Sequence, residues 1–174
     1  MKLRISRFVA AAAAMLLAAP AMALSVPFAG TGLVTPIGPP DADNNLPLTV
    51  FNTDYNVGGT PGFGLASLFT FNLDSGQGVG TFSFSNGPDL LAGTLTTQFT
   101  GNGFALSYVM NSGAGQYAGY AGVGGSFVTL LGDPNNPPTP FTEEGSFRLR
   151  RVPEPGALLL LGLGLVAVGA GRRR

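Results

Sequence analysis

From Leu48 onward the chain alternates large apolar residues with hydroxyl or small ones at a period of two, and glycine-rich turns break the alternation at short intervals. Phe82 and Phe84 alternate with Thr81, Ser83 and Ser85. Leu91, Leu95, Thr97 and Phe99 oppose Thr94, Thr96 and Gln98. A period of two places successive side chains on opposite faces of a strand, so each segment predicts a half-buried strand with one apolar face. The same reading gives one face to Thr49, Phe51, Thr53, Tyr55 and Val57, another to Phe69, Phe71 and Leu73, and further faces to Phe104, Leu106, Tyr108 and Met110. It gives Phe127, Thr129 and Leu131 a shared face, and Phe147 and Leu149 the last one. Asp74-Ser75-Gly76, Ser85-Asn86-Gly87-Pro88, Gly101-Asn102-Gly103 and Asp133-Pro134-Asn135 are the turn signals. The expected fold is all-β, an antiparallel barrel or sandwich of about seven or eight strands. The 27 glycines exclude a helical bundle, because an interior glycine costs a helix about 1 kcal/mol relative to alanine.

Four segments follow. Residues 1–23 form a signal peptide, 24–47 a Pro/Gly-rich lead, 48–151 the β domain and 152–174 a C-terminal tail. In the signal peptide, Lys2, Arg4 and Arg7 precede an apolar run, Pro20 breaks that run, and Ala21-Met22-Ala23 supplies a small-x-small cleavage pattern with the cut after Ala23. Signal peptidase is therefore an expected processing partner. The lead reads as loop with one early strand around Gly32 to Ile37. Between Leu24 and Arg151 three basic residues stand against eight acids, a net charge of −5 without a lysine, which is a poor match for nucleic acid.

The tail combines Val152-Pro153-Glu154-Pro155, an apolar stretch from Ala157 to Gly171 and a terminal Arg172-Arg173-Arg174. The prolines impose an extended approach to a marginal membrane helix, and the arginines hold the C-terminus on the cytoplasmic side. The precursor would then sit in the inner membrane with its body outside. These three elements, in this order at the C-terminus, resemble the PEP-CTERM sorting signal of Gram-negative bacteria. The resemblance implies recognition of Pro153, Glu154 and Pro155 by an exosortase, passage to the cell surface or extracellular space, and a cell that makes extracellular polysaccharide or biofilm matrix. Exopolysaccharide is a partner it suggests. Separately, Gly113 to Gly124, a run of glycines around Tyr117 and Tyr120, resembles a hairpin of dirigent-like and allene-oxide-cyclase-like β-barrels. That resemblance favours a closed barrel and transfers no catalytic residue.

No catalytic set emerges. The chain lacks His and Cys, which removes the commonest general base, the commonest metal ligand and every disulfide. No enzyme activity, cofactor or metal site is expected. Asp41, Asp43, Asn44 and Asn45 open like a calcium loop, but Leu46 and Asn52 stand where an EF-hand needs Gly and Glu, so a solvated turn is the simpler reading. Recurrent Gly-x-Gly pairs lack the strand-turn-helix setting of nucleotide sites. They read instead as points where a sheet bends. Glu143 and Glu144 are adjacent, so on a strand they point to opposite faces, which disfavours them as a cooperating acid/base pair. Arg148 and Arg150 share a face that could meet acidic sugars or, as such charges more often do, guard a sheet edge, and Tyr117 and Tyr120 suit hairpin packing or sugar stacking. The functional expectation is an exported envelope or matrix protein with a structural or interaction role. The alternative is a small barrel that binds a carbohydrate or apolar ligand in its mouth.

Overall fold

The computed structural model describes residues 23–152. The expected signal helix, the tail helix, Ala21, Pro153 to Pro155 and Arg172 to Arg174 lie outside the described residues. Eight strands follow one another: β1 (Leu24–Pro36), β2 (Asn45–Val57), β3 (Thr60–Asn72), β4 (Gln77–Asn86), β5 (Asp89–Phe99), β6 (Gly103–Ala114), β7 (Tyr120–Leu130) and β8 (Thr139–Arg151). Each pairs antiparallel with the next, and β8 pairs back onto β1, closing a barrel. The choice between barrel and sandwich thus falls to the barrel. Closure leaves no sheet edge to protect.

Short turns make this meander. Gly58 and Gly59, with φ of +60° and +88°, join β2 to β3 in a two-residue turn whose positive φ values other residues adopt only with strain. The hairpin of Gly113 to Gly124 is the β6–β7 connection, a single 3₁₀ turn over Gly115–Tyr117. Tyr117 is buried there against Phe63, 6.4 Å between ring centroids, and Tyr120 lies under the Arg151 guanidinium.

Inside, rings face glycines. Phe69 and Phe71 pair across strands with Gly80 and Gly78, Phe82 with Gly93, Phe28 with Gly145, Tyr55 with Gly30, and Phe147 with Gly124. The contact is close: a Cβ on Gly30 or Gly124 would stand 2.3 Å or 2.6 Å from the facing ring. The Gly-x-Gly pairs at 30/32 and 78/80, and Gly124 of the pair at 122/124, therefore stand opposite or against aromatic residues. Phe28, Tyr55, Phe82, Phe84, Tyr108 and Phe147 form one cluster, with centroids 4.8 Å apart for Phe82–Tyr108 and 4.9 Å for Phe28–Phe147. That cluster fills the half of the barrel nearer the chain ends.

Three sequence expectations need correction. The lead 24–47 is not loop with a strand at 32–37: Leu24–Pro36 is a full strand, paired on both sides, and its inward Val26 and Phe28 are buried. In β2 the single face breaks. Leu48 is buried and so are Tyr55 and Val57, at opposite parity, because the register shifts around Asn52, whose φ is +49°. In β7 the face is the opposite one. Phe127 is 72% exposed and Leu131 59%, while Ser126 is buried and Gly122 and Gly124 lie over Leu149 and Phe147. The interior next to β8 is already occupied by rings, so β7 turns its small residues inward. The assigned faces of Phe82, Phe84, Leu91, Leu95, Tyr108, Met110, Phe147 and Leu149 match the buried set.

Register has a direct check. Phe84→Ala, at a fully buried ring, should destabilise the barrel by about 3–5 kcal/mol, whereas Phe127→Ala should cost less than about 1 kcal/mol in chemical denaturation. Equal losses at the two positions would contradict the described faces.

Candidate functional site

The aromatic cluster does not fill the other half. Toward the end formed by the β1–β2, β3–β4, β5–β6 and β7–β8 loops, the barrel opens into a cavity of about 330 Å³. Its wall is apolar, with Pro36, Leu46, Leu48, Phe71, Phe99 and Phe104 among the lining residues, and Pro134 and Asn135 of the β7–β8 loop reach its rim. Asn135 is not free to bind there: its backbone N–H and its Nδ2 both donate to Asp133 Oδ1 at 2.9 Å. Leu24 and Arg151 lie at the opposite end of the barrel, so the mouth points away from both chain ends.

Beneath the mouth a second, narrower space of about 30 Å³ shares Val34, Phe104 and Leu130 with the first. It reaches down to Ser67, Thr97, Tyr108 and Glu143. Its lining is mostly apolar, and Ser67, Thr97, Tyr108 and Glu143 are the polar exceptions.

Glu143 is the centre of the polar cluster. Alternation along β8 puts Phe141, Glu143, Phe147 and Leu149 on the inner face, and Glu144 outside. The two acids therefore do point apart, as adjacent strand residues must. Only 1% of Glu143 is exposed. The Tyr55 hydroxyl donates to its Oε2, and the hydroxyls of Tyr108 and Ser126 donate to its Oε1, each at 2.5 Å. Burial raises its pKa above the ordinary carboxylate value, and the hydrogen bonds from Ser126, Tyr108 and Tyr55 oppose that rise. The two tyrosines are pushed far above the usual phenol value, first by burial and then by the Glu143 charge. They serve as fixed donors rather than as proton sources. Sequence reasoning weighed Glu143 only against Glu144 and missed this cluster. The signal was present in β8, where continuing the Phe147–Leu149 parity upstream lands on Glu143.

The other polar positions are structural. Asp41 Oδ1 accepts from the backbone N–H of Asp43 and of Asn45, both at 2.9 Å, and its Oδ2 accepts from Asn45 Nδ2. Hydrogen bonds from Asn45 lower its pKa. The motif read as calcium-loop-like is a turn that binds its own amides, and no group of three metal-ligating side chains occurs among the described residues. Arg148 and Arg150 lie on the outer face of β8 beside β1 and β7, in a closed sheet without an edge to guard. Val152, half exposed, donates its N–H to Gly119 O at 2.8 Å, so the first residue of the tail motif is still attached to the barrel. Ala23 is exposed just before β1, which starts at the residue after the expected signal cleavage.

Among the described residues no helix is long and apolar enough to cross a membrane. The fold and cavity define the class as a closed eight-stranded antiparallel barrel with one open, apolar mouth. Residues 147–174 match the PEP-CTERM protein-sorting motif, so the barrel is carried by a chain with an exosortase sorting signal, which implies an exported, exosortase-processed protein. The matched region starts inside β8, at Phe147. Comparisons with curated proteins and with solved structures give no match.

Because the folded pKa of Glu143 is raised above the unfolded value near 4.5, the unfolded chain ionises first as pH rises. Stability should therefore fall through the window between 4.5 and the raised folded value, and level off above it. Glu143→Gln should remove that slope. Denaturant titrations of both proteins across the acid-to-neutral range check this, and identical pH profiles would refute a perturbed buried carboxyl.

Proposed function

We propose that the chain is an exported binding module, a barrel that holds a small apolar ligand in its mouth and is delivered to the cell envelope or extracellular matrix by its C-terminal signal. The observation that carries this reading is the apolar cavity of about 330 Å³ at the end opposite the chain termini. Its volume lies in the range of small-molecule sites, which are concave, mostly apolar and few per protein. A barrel with a purely structural role would gain stability from filling that space with side chains. Its orientation also suits the topology: a barrel held at the membrane by its tail presents its mouth outward.

The reading is non-enzymatic. Glu143, the one inward acid, accepts from three hydroxyls, and the chain has no His or Cys to pair with a nucleophile. A second role, in interaction with matrix polymers such as exopolysaccharide, is favoured by the outer wall. Strands β3, β4, β6 and β7 contain no charged residue, and Val109, Val123 and Phe127 are exposed on adjacent strands.

Binding is measurable with N-phenyl-1-naphthylamine, an uncharged dye that brightens in apolar surroundings. The exported protein should bind it saturably. Leu130→Trp, which fills the passage between the two spaces, should weaken binding at least about tenfold without collapsing the thermal transition. Undiminished binding by that variant would place the dye elsewhere and remove the support for a binding mouth.

Delivery has its own test. Glu154→Ala, with both prolines retained, should accumulate as an uncut, membrane-held precursor in the native host. Processing at the wild-type rate would show that Glu154 is not read.

A further inference from the structure

The inner space holds one polar group that the fold leaves without a partner. Thr97 is 5% exposed, lines the inner space, and its Oγ1 is the only buried side-chain polar atom among the described residues that lacks a hydrogen bond. It lies over Gly78, its cross-strand neighbour, where a Cβ would come within 2.7 Å of it. Leaving such a hydroxyl unpaired is costly, and native proteins rarely do so without a ligand or water in the same place. Two other polar residues that line the same space retain acceptor capacity. Ser67 donates to Thr81 O at 3.0 Å and keeps its lone pairs, and Glu143 Oε2 accepts from Tyr55 alone. The inner space therefore offers one donor and two kinds of acceptor in a mostly apolar lining.

We infer that Thr97, with Ser67 and Glu143, is a head-group subsite that selects an amphiphile ending in an uncharged hydroxyl. This rests on the binding reading above and specifies its ligand. A hydroxyl head accepts from Thr97 Oγ1 and donates to Ser67 or Glu143, and its chain occupies the mouth. A carboxylate head brings a second negative charge to Glu143, whose hydrogen-bonding side chains are all neutral hydroxyls. An ammonium head loses far more hydration than a hydroxyl on entering this mostly apolar space, and one carboxylate shared with three hydroxyl donors offsets that loss only in part. The narrow space has room for about one water, and the head group takes that volume.

The test compares the exported wild-type protein with Thr97→Val, which keeps the side-chain shape and removes the hydroxyl. Decan-1-ol, decanoate, decylamine and decyl methyl ether each compete against N-phenyl-1-naphthylamine. Decan-1-ol should displace the dye best from the wild type. In Thr97→Val its affinity, referred to the dye affinity measured directly on each protein, should fall roughly three- to tenfold, the loss of one neutral hydrogen bond. Without ligand, Thr97→Val should match or exceed the wild-type Tm, because it removes an unpaired buried group. Equal decan-1-ol affinity in the two proteins, or tighter binding of decanoate or decylamine, would overturn the subsite while leaving the mouth intact as a dye site. Failure of the wild type to bind the dye at all would instead overturn the binding reading itself.

Discussion

An eight-stranded barrel is narrow, and this one fills its closed half with aromatic rings. Both facts hold together only because a glycine stands opposite ring after ring. The pairing is cross-strand: Phe69-Thr70-Phe71 faces Gly78-Val79-Gly80, and Phe147 faces Gly124. Each of these rings pairs across strands with a residue without a Cβ, so it fills space that two ordinary side chains would contest. Adding one methyl at Gly30, Gly80 or Gly124 would drive it into a ring or its backbone. Strand order, register and interior volume all follow from this complementarity. The glycines that exclude a helical protein are thus what makes a small aromatic-rich barrel feasible.

The open half obeys a different balance. There the inward positions carry Val34, Leu46, Leu48 and Leu130, which line the walls without meeting in the middle. Glu143 marks the boundary between the halves. A buried carboxyl without a cation is expensive, and three hydroxyl donors make it tolerable. Those donors come from β2, β6 and β7, so the cluster also ties four strands to one atom group at the depth where packing ends and the shaft begins.

Much of this was readable from the residues. Alternation located β3 through β6 and β8, and the glycine-led turns located their hairpins. The lead strand was hidden by its prolines and glycines, since Leu24–Pro36 has its strongest apolar pair, Val26 and Phe28, close to the signal peptide. Phe127 misled because a large ring usually marks an inner face. Whether it does so depends on what the neighbouring strand has already placed inside, and Phe147 had taken that volume. Asn52 shifted the parity of β2 by a local bend that no period reveals. The mouth was unreadable for a simpler reason: a cavity is a property of eight strands together, whereas the sorting motif is a contiguous string.

The ring is sealed by its first and last strands, Leu24 against Leu149 at one end and Val34 against Thr139 at the other. An exported chain emerges from its N-terminus, so β1 must wait, unpaired along one side, until β8 has crossed the membrane. The contact that completes the barrel is also the one most distant along the chain, and such contacts close slowly. Since the sorting motif begins within β8, completion of the fold and arrival of the signal are nearly the same event. A chain cut within β8 would therefore lose the strand that closes the barrel along with the signal.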